Sequence, residues 1–314
     1  LSPVAPYHSL DPDCVLDAVT ACGLWPDGRL LALNSYENRV WQVGIEDDAP
    51  VIAKFYRPHR WSDAAVLEEH AFAQELAADD IPMVAPLVFG GRTLLHHAGF
   101  RYALTPRRGG RAPSLESTDQ LEWLGRLIAR IHSVGARQSF QHRGRIDRAT
   151  LIEQPMRAVL ASSLLPPSLH APYRAAAERV DQAVATRLEA VGPVRPLRLH
   201  GDCHPGNVLW TDHGPHFVDL DDARMGPAVQ DLWMLANDDA GMQALLEGYQ
   251  QMREFDFTEL ALVPALRAMR QLHYAGWIAA RWHDPAFPAA FPFVAEPRWW
   301  EQHVADLHEL AEAL

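Results

Sequence analysis

Leu199-His200-Gly201-Asp202-Cys203-His204-Pro205-Gly206-Asn207, followed by Phe217-Val218-Asp219-Leu220-Asp221-Asp222, decides how this chain is read. The two segments set out a carboxylate, an amide five positions later and a second carboxylate after an apolar pair. Transfer of a γ-phosphoryl group asks for little covalent help but for much positioning, charge neutralisation and a group that takes the proton of the attacking hydroxyl. Asp202 is the candidate proton acceptor. Magnesium prefers hard oxygen ligands and leaves octahedral positions to phosphates and water, so one carboxylate and one amide oxygen suffice. Asp219 and Asn207 fit those places. Between them, apolar runs at 208–210 and 216–218 flank Thr211-Asp212-His213-Gly214-Pro215, a pattern that predicts a small hairpin folding Asp219 back beside Asn207.

The chain's 314 residues, with 48% hydrophobic content, are enough to bury one sizeable core or two adjoining ones. A net charge of -12 speaks against a binder of phosphate backbones, which gains affinity through Lys and Arg, so no nucleic-acid partner is expected. No apolar run reaches the ~18 residues of a membrane helix, and Leu1-Ser2-Pro3-Val4-Ala5-Pro6 has neither a basic start nor an apolar signal core. A cytoplasmic protein without membrane partners, its initiator Met removed, is the expectation. Cys14, Cys22 and Cys203 are too few and too scattered for a disulfide framework and include no C-x-x-C pair, which suits a reducing compartment. Cys203, beside a carboxylate, reads as a space-filler rather than a reactive thiol.

The first third predicts a helix from Asp11-Pro12 to a stop at Gly23, then β-compatible runs at 30–33, 40–45 and 51–56. Ser62 is placed to cap a helix running toward Ala78, with Leu67 and Phe72 on its apolar side. Runs at 85–89, 93–96 and 100–105 read as further strands, and Pro106-Arg107-Arg108-Gly109-Gly110-Arg111 as a flexible crossing. Beyond it Leu121, Leu124, Ile128 and Ile131 repeat on one helical face until Gly135. More helices are predicted over 174–191, 229–236, 242–252, 259–282 and 299–314, with loops at 237–239 and 284–297. An α+β fold follows, strand-rich over 1–105 and mainly helical over 106–314. Trp277, Trp282, Trp299 and Trp300 are read as packing residues, since no Lys or Arg ladder interleaves them. Lys54, in the third run, can reach nucleotide phosphates if an acidic partner holds it, and Glu68 and Glu69 on the next helix are candidates.

The 199–207 loop resembles the catalytic loop of choline-kinase-like and aminoglycoside-phosphotransferase-like enzymes, and its Asp-to-Asn spacing matches the kinase H-R-D-x-x-x-x-N pattern. Four segments resemble the bacterial stress response kinase A family more closely: Asn34-Ser35-Tyr36-Glu37-Asn38-Arg39-Val40, Lys54-Phe55-Tyr56-Arg57-Pro58, Leu67-Glu68-Glu69-His70 and Val218-Asp219-Leu220-Asp221-Asp222-Ala223-Arg224. The resemblance implies a bilobal protein-kinase-like fold, with a small antiparallel-sheet N-lobe over 1–105 and a larger, mainly helical C-lobe over 106–314. It also implies a cytoplasmic Ser/Thr protein kinase of the stress response that uses ATP and magnesium (Mg2+), with Asp202 and Asp219 catalytic and Asn207 and Asp219 on the metal. Glu69 is favoured over Glu68 as the partner of Lys54. Ser35 and Asn38 become candidate ATP contacts, in a turn that takes the place of a Gly-rich loop but holds no glycine. The adenine falls to main-chain groups of 104–106, at Thr105, and Asp231 becomes a brace for the catalytic loop. Asp221 and Asp222 read as solvated, unless they assist a second metal or touch substrate.

Other readings use the same residues. His204 stands where protein kinases carry a Lys, in the style of kinases for small alcohols and amines such as an aminoglycoside, choline or homoserine. His200, Asp202 and His204 alternate and could, on an extended segment, hold zinc for hydrolysis. A nucleotide-binding scaffold without turnover is the third. A monomer is expected, and the acidic balance weakly favours basic acceptor peptides.

Overall fold

The structure, a computed structural model, describes residues 6–314; the reading of residues 1–5 as free of a signal core lies outside the described residues. The Asp11 carboxylate accepts the Cys14 N–H at 2.8 Å, and Pro12 enters the first turn with its φ already set, which starts α1 (Pro12–Thr20). Strands β1 (Pro26–Leu33), β2 (Arg39–Ile45) and β3 (Asp48–Phe55) follow. Then come α2 (Asp63–Ala78), whose Ser62 cap accepts from Ala65 N at 3.2 Å, and strands β4 (Leu95–His97) and β5 (Phe100–Pro106). The five strands form one antiparallel sheet in the order β1-β2-β3-β5-β4. Val15, Ala18 and Val19 of α1 pack on it against Val43, Ala53, Phe55 and Leu104.

The predicted strand at 85–89 is absent. Pro86 has no N–H to give a ladder, and the segment is held by Leu87 N donating to Leu104 O (2.7 Å) and by a bridge between Phe89 and Arg92. The next strand starts at Leu95 rather than Thr93, whose hydroxyl lies 2.8 Å from His70 Nδ1.

The remainder is helical around three small β elements. It comprises α3 (Thr118–Gly135), α4 (Gln154–Ala161) entered through a wide turn at Ala149–Glu153, α5 (His170–Val191), β6 (Leu197–Arg198), and the hairpin β7 (Val208–Thr211) and β8 (Gly214–Phe217). After it come β9 (Met225–Gly226), α6 (Asp239–Gln250), α7 (Val263–Arg281), α8 (Ala286–Ala290) and α9 (Pro297–Ala313). The predicted 208–217 hairpin and the α3 stripe are present, with Leu121, Leu124, Ile128 and Ile131 at most 2% exposed. Gly125 of α3 and Gly248 of α6 let these helices touch backbone to backbone: a Cβ on either would meet a carbonyl oxygen of the other helix at 2.0 Å.

One helical reading and two loop readings are corrected. Residues 229–236 form two tight turns, Ala228–Asp231 and Trp233–Leu235, because Gln230 and Asp231 point their side chains at a neighbouring loop. The predicted loop at 237–239 ends in a helix start, with Asp238 capping α6 through Gly241 N at 2.8 Å. The predicted 284–297 loop contains α8 and the turn Pro292–Ala295.

The two hydrophobic cores do not part at residue 105. Phe72, Ala73 and Leu76 of α2 lie in the larger core with α3, α5 and α7. Backbone pairing also crosses the divide: Phe217 N donates to Pro82 O (2.8 Å), Val84 N to Phe217 O (2.9 Å), and Arg111 and Trp210 exchange bonds of 3.0 and 2.7 Å. The 106–111 crossing is thus pinned at both ends. No helix among the described residues is long and apolar enough to cross a membrane.

Candidate active site

Asp231, 1% exposed, braces the 199–207 loop by accepting the His200 and Gly201 N–H groups, each at 2.8 Å, while His132 Nε2 donates to the same carboxylate at 3.1 Å. Gly201, at φ +84°, has no room for a side chain, since a Cβ would lie 2.1 Å from Asp222 O. His200 is fully buried and donates from Nε2 to Val218 O at 2.9 Å, tying the two diagnostic segments together. That bond overturns the zinc reading, because the His200 ring faces the second segment instead of joining Asp202 and His204. Among the described residues no group of three or more His, Cys, Asp or Glu side chains is arranged to hold a metal ion. Cys203 is buried, and burial, with Asp231 and Asp202 nearby, pushes its thiol far above the ordinary range.

Asp202 is flanked on both oxygens. Arg270 Nη1 of α7 donates to Oδ1 at 2.7 Å, and His204 Nε2 lies 3.4 Å from Oδ2. His204 Nδ1 accepts the Gly206 N–H at 3.0 Å, which leaves the ring proton on Nε2, toward Asp202. Burial works to raise the Asp202 pKa, but His204 and Arg270 outweigh it and hold the group below the usual carboxylate range. Its charged form is therefore available to accept a proton.

Asn207 is oriented by its own amide. Nδ2 donates to Asp202 O at 2.9 Å, which turns Oδ1 away as an oxygen donor, and Asn207 O accepts Val218 N at 3.1 Å. Asp219 follows in the left-handed region (φ 64°, ψ 72°) with its side chain 50% exposed. An amide oxygen and a carboxylate on adjoining turns are the donor types that a hard divalent cation takes.

Lys54 Nζ lies 2.8 Å from Asp219, 3.4 Å from Asp221 and 3.6 Å from Glu69. Burial disfavours its charge, yet these three carboxylates together hold its pKa well above the ordinary value. Glu69 and Glu68 divide their work. Glu69, 5% exposed, faces Lys54, whereas Glu68 accepts the backbone N–H groups of Gln141, His142 and Arg143 at 2.6, 2.8 and 3.1 Å.

Arg143 is the part of the site that sequence reasoning missed. Its buried guanidinium meets Glu69 Oε2 (3.1 Å), Ala65 O (3.0 Å), Ala223 O (2.6 Å) and the Asp221 carbonyl, and lies 4.3 Å from the Trp61 ring centroid. It joins α2 to the loop after Asp219. A single Arg in an aperiodic loop carries no signal of such a role. Arg143→Ala is expected to lower stability by about 3–5 kcal/mol, because a buried carboxylate loses one of its two cations and several carbonyls lose a donor. Urea unfolding measures this, and Arg143→Lys should recover only part, since an ammonium cannot reproduce the planar fork.

The 34–38 turn departs from expectation. Ser35 Oγ accepts Val40 N (3.1 Å) and donates to Leu33 O (3.3 Å), so its hydroxyl closes its own turn. Asn38 is corrected as a phosphate contact through its side chain: it is 5% exposed, its Oδ1 accepts Arg57 N and its Nδ2 donates to Asp221 Oδ2, both at 3.1 Å. Glu37 reaches α7 instead, accepting from Trp277 Nε1 at 2.5 Å and lying 2.6 Å from Arg281 Nε. Asp221 is buried rather than solvated, and Asp222, its side chain 32% exposed, is held in ion pairs. Asp221 is 4% exposed and pairs with Arg60, while Asp222 pairs with Arg60 at 2.9 Å and Arg224 at 2.7 Å. Burial would raise the pKa of each, but Arg60 and Lys54 for Asp221, and Arg60 and Arg224 for Asp222, pull them below the ordinary range. Thr105 sits on β5 opposite Ile52, at the start of the crossing.

Fold and site together define a phosphotransferase of the kinase type, and residues 29–270 match the phosphotransferase enzyme family, to which this chain belongs. It is 43% identical to stress response kinase A of Escherichia coli strain K12 and 42% identical to serine/threonine protein kinase RdoA of Salmonella typhimurium, each match covering 98% of this chain and 94% of the relative. The resemblance read from four short segments thus extends along nearly the whole chain. Amicoumacin kinase hAmiN, in complex with AMP-PNP, Ca2+ and Ami, superposes with a TM-score of 0.72 at 18% identity, covering 96% of this chain and 93% of that one. A microcompartment-associated aminopropanol kinase gives 0.69 at 18% identity, over 94% and 98%. The chain is a kinase with an α+β, kinase-like fold.

Proposed function

We propose that this kinase transfers the γ-phosphoryl group of ATP to a Ser or Thr hydroxyl of a protein, as a cytoplasmic monomer acting in a stress response. The observation that supports the reading is that Asn207 is bonded to the Asp202 main chain and Lys54 to Asp219, while the Asp231 brace and the His200 bond to Val218 tie the two segments together. As the bond from the acceptor oxygen to the γ-phosphorus forms, the β,γ-bridging P–O bond breaks, ADP departs and the hydroxyl proton passes to Asp202. Magnesium held by Asn207 Oδ1 and Asp219 would supply charge neutralisation on the phosphate oxygens. Lys54, set by Glu69, serves the α- and β-phosphates. Main chain at Ser35 serves the phosphates from the other side, and main chain at Thr105 serves the adenine. Residues 1–105 and 106–314 act as the two lobes, with α2 as their shared element.

The name of the Salmonella relative, serine/threonine protein kinase RdoA, supports a protein acceptor. A small alcohol is the second reading, favoured by His204 at 3.4 Å from Asp202 and by structural neighbours that include an aminopropanol kinase. Incubation with γ-labelled ATP and a generic protein acceptor, beside a panel of small hydroxylated compounds, separates them. Label in the protein band is expected; label confined to the small compounds would contradict the protein acceptor.

A further inference from the structure

α7 meets the candidate base Asp202 through Arg270, and its charge is unlike the rest of the chain. In a protein of net charge -12, the helix Val263–Arg281 carries Arg267, Arg270 and Arg281 and no Asp or Glu. Arg281 is committed to Glu37. Arg267 and Arg270 are both exposed and, three positions apart, share a helix face. Arg270, its side chain 46% exposed, already touches the candidate base at 2.7 Å. Arg267 has no ion-pair partner among the described residues, and its guanidinium lies 5.7 Å from the Trp233 ring centroid. Trp233 Nε1 donates to Gln230 Oε1 (3.3 Å), and Gln230 Nε2 donates to Gly201 O (3.1 Å), so Arg267 is only two side chains from the catalytic loop.

An acceptor hydroxyl giving its proton to Asp202 must come within about 2.6–3.2 Å of a carboxylate oxygen. Whatever is attached a few bonds away then lies against Arg270, with Arg267 one helical step beyond. Guanidinium forks bind carboxylates and phosphates in bidentate fashion, whereas an ammonium in the same place meets like charge and no acceptor atoms. Asp202 engages Arg270 through one nitrogen only, which leaves the rest of that fork and all of Arg267, and Asp219 is paired with Lys54. Asp222 is held by Arg60 and Arg224, and Asp221 by Arg60 and Lys54. The acidity of the whole surface acts through salt water with a screening length of about 8 Å, so the two local cations prevail at the mouth.

We infer that the acceptor presents its hydroxyl next to an anionic group, as in a Ser or Thr flanked by acidic or phosphorylated residues, and that Arg267 and Arg270 bind that group. The inference rests on the proposed transfer reaction and reverses the expectation, taken from net charge, of basic acceptor peptides.

The test uses the full chain with γ-labelled ATP and magnesium, and peptides that differ only in carrying Asp and Glu or Lys beside one Ser. A small hydroxycarboxylic acid and an amino alcohol of equal length are run in parallel. The acidic peptide should have a KM about tenfold or more below that of the basic one. Arg267→Glu and Arg270→Gln should each erode that ratio by raising the KM of the acidic acceptor relative to the basic one. A purely structural role, or one confined to tuning Asp202, would instead lower kcat alike for both peptides. Label in the hydroxy acid but in neither peptide would uphold the anionic site and make its source a small molecule. A preference for the basic peptide, or a ratio that neither variant moves, would overturn the inference while leaving the transfer reaction intact. No transfer to any acceptor would remove the reaction and the inference together.

Discussion

Asp202→Ala should lower kcat for phosphoryl transfer by about 10²–10⁴-fold, the range for losing a positioned general base, while leaving ATP affinity within a few-fold of the parent. The separation follows from the geometry. Asp202 touches Arg270 and His204, both partly exposed, whereas Lys54 is fixed by Asp219, Asp221 and Glu69, and Asn207 receives its orientation from the Asp202 main chain. Removing the Asp202 side chain leaves the main-chain bond to Asn207 intact. It frees Arg270 into solvent, where an unpaired guanidinium costs little. A steady-state assay beside a nucleotide-binding titration measures both halves.

Asp219→Asn should produce the second large effect, a loss of magnesium-dependent nucleotide affinity of at least about 10–100-fold, the scale seen when even the surroundings of a metal site are altered. Asparagine is chosen for the backbone. Asp219 has φ 64°, a region that Asn tolerates and Ala enters at a cost of roughly 1–2 kcal/mol, so Asp219→Ala would mix strain with ligand loss. Lys54 keeps two carboxylates in the variant, at 3.4 and 3.6 Å, and should stay in place. Titrating nucleotide with and without magnesium isolates the term. Equal affinities for parent and variant under both conditions would withdraw Asp219 from the metal.

Much of this site was legible because its determinants are close in sequence. The Asp-to-Asn spacing, the hairpin at 208–217 and the Ser62 cap each depend on residues within one turn or one hairpin, where residue type and backbone preference suffice. The same locality explains the α3 stripe. What stayed hidden depends on partners far along the chain. Asp221 follows Asp219 in an acidic run that looks solvated, but Arg60 reaches it across 161 positions and Lys54 reaches Asp219 across 165. Without those cations, burying Asp221 at 4% exposure would be prohibitively costly; with them, it becomes the centre of a network. Asn38 lies in a tight turn, where alternation does not say which side chain faces inward, and its side chain is turned to Arg57 and Asp221. Arg143 lies in an aperiodic loop, and Arg270 on a helix whose apolar periodicity says nothing about its polar residues. Short α8 was lost among prolines, where a turn signal and a helix start share the same residue.

Transfer depends on Asp202 taking the acceptor's proton within a site that binds ATP by other means. The most direct measurement is a single turnover from γ-labelled ATP already bound, in the parent and in Asp202→Ala, at matched and verified nucleotide occupancy. Slow transfer in the variant, at an occupancy equal to that of the parent, is the predicted result; transfer at the parent's rate would contradict it.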